Sequence, residues 1–183
     1  MTECEYKFLL TERQFTEATE KAQNLYGSPQ EKTQVNNYYD DETLSLNRRG
    51  VTVRIRQAGG AGKLQIKQHG RSQNGCAVSE EREHDIAGSS SEINLPELGR
   101  LTLKGCLVTR RLSFAAYPGI SLDMDTNTYL GLTDYEVEIE FDDTVQEQAK
   151  AIISTLGLDT MNHLSKSERF FAALERKGGT DGI

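Results

Sequence analysis

Cysteine pairs, long apolar stretches and an excess of positive charge are all missing from this sequence. The three cysteines, Cys4, Cys76 and Cys106, are odd in number and unrelated in spacing. They fit neither a disulfide framework nor a CxxC metal or redox pair, which favours reduced thiols. No stretch approaches the roughly 18 apolar residues of a membrane span, and the first residues contain no basic or apolar leader region. We therefore expect a soluble, cytoplasmic protein without a membrane partner.

Acidic residues outnumber basic ones, 28 against 21, and the formal net charge is -7. The field of the whole molecule repels nucleic acid and phosphate, so no nucleic-acid partner is expected. An anionic ligand has to be held by local positive charge. The chain has 183 residues, which fits a single domain. We place that domain at residues 1–176 and expect a flexible C-terminal tail at 177–183.

Three segments have the apolar spacing of amphipathic helices. The first follows Thr11 and ends at Gly27, the second follows Thr144 and ends at Gly157, and the third follows Ser165. Each of these Thr or Ser residues is followed three residues later by Gln or Glu. This arrangement predicts a capping box at the start of each helix.

Between these segments, apolar and polar residues alternate with a period of two, and glycine-rich turns separate the alternating stretches. The short spacing predicts one antiparallel sheet or barrel. Strands are expected at about residues 2–9, 35–40, 51–57, 63–69, 77–86, 106–116, 119–125 and 134–142. Residues 93–103 give no clear pattern.

The alternation separates charges by sign. Glu136, Glu138 and Glu140 share one face of a strand, and Arg54 and Arg56 share a face of another. One charged face is ordinary for an antiparallel strand with a solvated side, but solvated faces usually mix signs. Neighbours on one face lie about 7 Å apart, where like charges cost about 2 kcal/mol per pair at an effective dielectric near 20. A bound ligand or counter-ion would remove that cost.

The two kinds of charged strand suit one type of ligand. Carboxylates bind hard cations such as Mg²⁺ through oxygen, together with substrate phosphates. Arg and Lys clusters bind phosphate oxygens, Arg through two parallel hydrogen bonds. A site that contains both therefore fits a metal–polyphosphate complex.

The motif Glu3-x-Glu5-x-Lys7 resembles the signature of the CYTH superfamily, also called triphosphate tunnel metalloenzymes. Other elements of the family pattern follow in order between residues 3 and 170, and the chain looks most similar to the Bacillus-type branch of bacterial triphosphatases. These elements are Asn37-Tyr38-Tyr39-Asp40, Val53-Arg54-Ile55-Arg56, Leu64-Gln65-Ile66-Lys67, Glu81, Thr109-Arg110-Arg111, Leu122-Asp123, Glu136-x-Glu138-x-Glu140 and Lys166-Ser167-Glu168-Arg169-Phe170.

The resemblance implies a mainly β (α+β) fold, a closed eight-stranded antiparallel β-barrel with helices packed outside and a triphosphate in a charged tunnel. It implies Mg²⁺ or Mn²⁺ as the cofactor. The implied substrate-binding residues are Lys7, Arg54, Arg56, Lys67, Arg111 and Lys166. The implied metal ligands are Glu3, Glu5, Glu81, Glu136, Glu138 and Glu140. Catalytic roles are expected for Lys7, Glu138 and Glu140.

Strand phase distinguishes two adjacent arginines. Arg110 shares its face with the apolar Leu112 and Phe114, so we expect Arg111 to face the tunnel.

Three positions stay open at this point. Glu80 could replace Glu81 if the strand register differs by one residue. Arg169 could line the tunnel or cap a helix outside it. Asp125 shares the phase of Asp123 but precedes Thr-Asn-Thr, and we interpret it as a loop residue.

The function that these patterns favour is that of a metal-dependent triphosphatase. It would cleave the terminal phosphoanhydride of inorganic tripolyphosphate or of a nucleoside or other organic triphosphate, so its partner is a small molecule. One alternative is an adenylyl cyclase of class IV type. Another is a non-catalytic module that binds polyphosphate or nucleotide.

Overall fold

The computed structural model describes residues 3–70, 79–159, 161–162 and 164–180. The strands are β1 (Glu3–Leu10), β2 (Gln30–Asp40), β3 (Val51–Ala58), β4 (Ala61–His69), β5 (Ser79–Ile86), β6 (Glu92–Leu95), β7 (Gly99–Tyr117), β8 (Ile120–Tyr129) and β9 (Leu132–Asp142). The helices are α1 (Glu12–Tyr26), α2 (Ser45–Arg48), α3 (Gln146–Leu156) and α4 (Lys166–Thr180). Within this part of the chain, no helix combines the length and the apolar character that crossing a bilayer requires.

The strands form one antiparallel sheet, as predicted. Eight of them follow the order β1-β9-β8-β7-β2-β3-β4-β5, and β6 pairs with β7 beside this path. The predicted closure is not present in the described residues, because β1 and β5 do not pair with each other. Residues 161–162 lie on the edge of β1 instead, where Phe8 forms a bridge with Met161 and the Asn162 amide donates to the Lys7 carbonyl at 2.7 Å. This segment covers an edge that would otherwise expose unpaired backbone groups.

The stretch without a clear pattern contains β6 and the first part of β7. The pairing of β2 with β7 shifts register between Tyr38 and Tyr39, opposite Gly105 and Leu103. This bulge breaks the alternation of inward and outward side chains. Gly105 has a φ of 144° there, and an added Cβ would lie 3.0 Å from the Phe170 ring, so the position requires glycine.

Helices α1 and α3 pack outside the sheet, as predicted. Phe15 of α1 and Ile152 of α3 share a buried apolar cluster with the outward faces of β1, β8 and β9. The capping box of Thr11 and Gln14 is confirmed. The capping box predicted at Thr144 is wrong, because a short 3₁₀ turn at Asp143–Val145 precedes α3 and the Thr144 amide donates to the Asp142 side chain.

Helix α4 differs from the prediction that the helices pack outside. Its residues Phe170 and Phe171 pack against Tyr38, Leu107 and Tyr129. Those three side chains share the strand phase of charged inward-facing residues, so α4 covers one end of the interior. We call this apolar cluster the plug. Its rings are close, with centroids 4.8 Å apart for the Tyr38–Phe170 pair.

The start of α4 matches the prediction. The Ser165 amide donates to Glu168 at 2.7 Å and the Glu168 amide donates to the Ser165 hydroxyl at 3.2 Å, which forms the expected capping box. The helix continues to Thr180 and so includes part of the predicted tail, and residues 181–183 lie outside the described residues.

Substitution of a buried side chain in the plug should lower the stability of the protein strongly. Phe170 is fully buried, so Phe170→Ala should lower the free energy of unfolding by about 3–5 kcal/mol through lost burial and a residual cavity. Urea unfolding measures this. Leu164→Ala is the control, because Leu164 is 52% exposed and should change stability by less than about 0.5 kcal/mol. Equal effects of the two substitutions would contradict the packing of α4 against the interior.

Candidate functional site

Carboxylates from three neighbouring strands face the interior on one side. The register places Glu5 opposite Glu140 and Lys7 opposite Glu138, while β8 places Asp123 and Asp125 beside the same strand. We call this side the acidic wall. Its carboxylates are Glu5, Asp123, Asp125, Glu136, Glu138 and Glu140.

The opposite side is basic, and we call Arg54, Arg56 and Lys67 the basic wall. Neutral amides orient its two guanidinium groups: the Nε of Arg54 donates to Gln65 at 2.7 Å and the Nε of Arg56 donates to Asn36 at 2.9 Å. The nearest carboxylate that pairs with Arg54 or Lys67 is Glu81, at 3.9 Å from each. The guanidinium groups are therefore held in place with little neutralisation of their charge.

The pKa of Arg56 reflects this imbalance. Burial, together with the positive charges of Arg54 and Arg111, lowers the pKa of Arg56 to about 10. A bound anion would oppose all three of these effects, because it stabilises the charged form.

A cavity of about 250 Å³ lies between the walls. Residues from both walls and the start of α4 line it, and His69 is the aromatic residue of the described lining, which contains no Phe, Tyr or aliphatic side chain. The cavity is thus mostly charged and polar.

The acidic wall carries its own cations. Lys7 lies 2.8 Å from Glu5 and 3.4 Å from Glu138. Arg111 contacts Asp123 at 2.5 Å, Asp125 at 2.6 Å and also Glu138. Burial opposes ionisation of Glu138, but Lys166, Lys7 and Arg111 hold its pKa well below the ordinary value.

Glu5 is a carboxylate of the acidic wall whose burial is only partly compensated. Burial and the charge of Glu138 raise the pKa of Glu5 to about 7, although Lys7 opposes the shift. A cation beside Glu5 would lower this pKa. Glu5, Glu138 and Glu140 all line the cavity and offer the oxygen donors that Mg²⁺ and Mn²⁺ prefer, so these residues fit a divalent cation.

Most of the predicted site residues meet in this cavity. They are Lys7, Arg54, Arg56, Lys67, Arg111, Lys166, Glu5, Glu81, Glu138 and Glu140. The side chain of Glu3 lies outside what the structure describes.

The strand faces resolve one open position and agree with one expectation. Glu81, not Glu80, lines the cavity. Arg111 faces inward as predicted, whereas Arg110 is exposed and pairs with Glu31 at 2.7 Å.

Glu136 does not line the cavity, unlike Glu138 and Glu140 of the same strand. It is fully buried, and its oxygens contact Arg169 at 2.9 and 3.1 Å and Lys166 at 2.7 Å. Arg169 also pairs with Asp134 at 2.9 Å. Arg169 therefore neither caps a helix outside nor lines the cavity. It neutralises the carboxylates of Asp134 and Glu136.

The interpretation of Asp125 as a loop residue is wrong. Asp125 lies in β8, is fully buried and contacts Arg111 and Lys166. Its position two residues after Asp123 and two before the buried Asn127 was the available signal.

A row of hydrogen bonds at the start of α4 was also not predicted from the sequence. Thr52 contacts His69 at 2.9 Å and Ser167 at 3.0 Å, and Ser167 contacts Ser165 at 3.0 Å. Thr52 shares the phase of Arg54, so its inward position follows from the same alternation, whereas its contact with α4 does not.

Comparison with known proteins gives one family and several similar structures. A family model described as the CYTH domain matches residues 1–169. A candidate adenylate cyclase from Bacillus halodurans has a TM-score of 0.69 and 21% identity, over 93% of this chain and 100% of that one. A candidate adenylyl cyclase from Hippeastrum, described as having a dominant triphosphatase activity, has a TM-score of 0.70 and 19% identity, over 97% and 96%.

A more distant similarity is to the capping enzyme triphosphatase of Mimivirus. Its TM-score is 0.57 at 11% identity, over 85% of this chain and 89% of that one. No curated protein sequence matches the chain. At these identities the solved structures show a shared fold.

The raised pKa of Glu5 predicts a pH dependence of stability. The folded state binds this proton more tightly than the unfolded state, so the contribution is present below about pH 4.5 and is lost as pH rises through about 7. Wild type should therefore lose up to about 3 kcal/mol relative to Glu5→Gln between pH 5 and pH 8. Urea unfolding at both pH values measures the difference.

The exposed Glu147 of α3 provides the matched control, since Glu147→Gln should change stability little at either pH. A difference between wild type and Glu5→Gln that does not depend on pH would show that Glu5 titrates normally.

Proposed function

The chain belongs to the CYTH domain family, and we propose that it is a metal-dependent triphosphatase that hydrolyses the terminal phosphoanhydride of a tripolyphosphate. The observation that carries this proposal is the pairing of a poorly neutralised basic wall with a carboxylate wall across one cavity. A polyphosphate and a divalent cation together supply the opposite charges. Two of the similar structures have names that refer to triphosphatase activity, which agrees with the proposal.

In this proposal the basic wall binds the phosphate chain. Arg54 and Arg56 are oriented by amides that leave most guanidinium N–H groups available for phosphate oxygens. Lys67 adds a compact charge from the next strand. Lys7, Arg111 and Lys166 also line the cavity from the acidic wall and α4, where their ion pairs neutralise the carboxylates beside the phosphate chain.

Glu5, Glu138 and Glu140 would hold the divalent cation. When bound, such a cation neutralises phosphate charge and lowers the pKa of a coordinated water. In the proposed hydrolysis, the oxygen of a water molecule would form a bond to the terminal phosphorus while the bond from that phosphorus to the bridging oxygen breaks. Pyrophosphate would leave with the electron pair, and the proton of the water would pass to solvent. Lys7, between Glu5 and Glu138, donates hydrogen bonds to the oxygens of the transferred group as their charge develops.

Inorganic tripolyphosphate is the substrate that the cavity favours. The cavity has a volume of about 250 Å³, which is below the roughly 300–1,000 Å³ of most pockets for organic ligands. The described lining offers a nucleobase little apolar surface, and His69 is its aromatic residue. A cyclase must place the ribose and the α-phosphate of ATP together in the site, and this lining gives a nucleoside little to bind.

Product analysis tests the proposal. The protein is incubated with tripolyphosphate or ATP in the presence of Mg²⁺ or Mn²⁺, and phosphate, pyrophosphate and cyclic AMP are measured. We expect equal amounts of phosphate and pyrophosphate from tripolyphosphate, and slower turnover of ATP. Cyclic AMP as the main product would identify a cyclase, and binding without turnover would identify a non-catalytic module.

The two walls should respond differently to substitution. Arg56→Ala removes hydrogen bonds to a charged group and should raise KM about 10- to 100-fold, without recovery in excess metal. Glu140→Gln keeps the size of the side chain but removes a metal-binding charge, so metal affinity should fall at least about tenfold. Its activity should recover as Mg²⁺ or Mn²⁺ is increased. Steady-state kinetics at several metal concentrations measure both effects.

Arg110→Ala is the internal control, because Arg110 is exposed and pairs with Glu31 on the outer surface. Its KM and rate should match those of wild type. A larger loss at Arg110 than at Arg111, or recovery of Arg56→Ala by metal, would contradict the assignment of the walls.

A further inference from the structure

Asp125, Glu136 and Glu138 form a compact group, which we call the inner group. One oxygen of each lies within 4.8 Å of the others, and all three residues are buried. The Lys166 ammonium is 2.9 Å from Asp125, 2.7 Å from Glu136 and 2.7 Å from Glu138. A cation therefore already lies among these carboxylates, and α4 supplies it.

We propose that Lys166 is a tethered cation that occupies a latent divalent-cation site. In the native chain the inner group then binds no metal ion, and the outer group of Glu5, Glu138 and Glu140 is the one open to metal. The inference goes beyond the proposed hydrolysis, because it concerns cation binding to the protein in the absence of any polyphosphate.

The contacts of the neighbouring cations support this role. Arg111 pairs with Asp125 and Glu138, and Arg169 pairs with Glu136. Among the residues that the structure describes, Lys166 is the cation whose ion pairs reach all three members of the inner group. Its ammonium thus has the oxygen environment that a small hard cation would have.

Because the three carboxylates of the inner group are buried, they require a cation between them. Glu136 and Asp125 are fully buried and Glu138 is 5% exposed, so three ionised carboxylates without a central cation would be strongly destabilising. The ammonium lies 2.7–2.9 Å from one oxygen of each carboxylate, so a divalent ion has to displace it to enter.

The test replaces the tethered cation with a neutral side chain of similar length. Lys166→Met should bind one more Mn²⁺ per chain than wild type in calorimetric titrations with the metal alone. Mn²⁺ should also raise the melting temperature of this variant more than that of wild type. Lys150→Met is the control, because Lys150 forms an exposed pair with Glu147, and it should match wild type in both measurements.

A second substitution distinguishes the inner group from a general charge effect. Glu136 belongs to the inner group and not to the outer one, so Lys166→Met combined with Glu136→Gln should lose the additional Mn²⁺ site. The same Mn²⁺ stoichiometry in Lys166→Met and wild type would overturn the proposal, as would an additional site that persists in the double variant.

Folding of the variant is itself informative. If Lys166→Met is unfolded in metal-free buffer, circular dichroism with and without Mn²⁺ decides the question. Folding that depends on Mn²⁺ supports the latent site. Failure to fold under both conditions contradicts it, because a bound metal ion should replace the lost ammonium.

Discussion

Three cations from three different elements contact the carboxylate of Glu138 in β9. They are Lys7 of β1, Arg111 of β7 and Lys166 of α4. The carboxylate is almost completely buried, so each contact has low solvent screening and the group stays ionised. Removal of this charge would leave several buried cations with fewer partners, which is more costly than losing an exposed ion pair. The position of α4 over one end of the interior therefore depends on the acidic strand β9.

The two walls are organised by different chemistry. On the acidic wall, ammonium and guanidinium groups neutralise the carboxylates directly. On the basic wall, Gln65 and Asn36 orient Arg54 and Arg56 through neutral amide oxygens, which provides geometry without cancelling charge. This difference explains how a chain with a net charge of -7 can offer a site for an anion. The local positive charge is left for the ligand to neutralise.

Much of this arrangement follows from the alternation of residues in the sequence. The period of two places Arg54 with Arg56 and separates Arg111 from Arg110, because neighbouring side chains in a strand point to opposite faces. The same rule could have placed Asp125 inside, but the following Thr-Asn-Thr suggested a turn, and pairing with Arg111 across the sheet outweighs that local preference. The bulge at Gly105 reverses the phase within β7, so alternation alone cannot assign the residues before it.

The position of α4 could not be predicted in the same way. Its spacing shows an apolar face around Phe170 but not whether that face meets the outside of the sheet or its interior. The deciding partners are Tyr38, Leu107 and Tyr129, which come from three separate strands. Each is an apolar residue on a face that is otherwise polar, and only the register brings them together. Long-range packing of this kind is absent from any single segment of the sequence.

The plug also makes the two ends of the cavity different. Leu44 and Leu130, in the β2–β3 and β8–β9 connections, pack against the plug at the end that α4 closes. Glu140, an exposed lining residue, lies near the other end of β9, which begins two residues after Leu130. Under the proposed function, a linear polyphosphate enters from the side of Glu140, and any organic group it carries stays there. Such a group meets charges of both signs, including the Lys63–Glu83 pair at 2.7 Å, and charged side chains of this kind offer a nucleobase little apolar surface on which to stack. Selection for phosphate chains then follows from closing one end of a charged compartment.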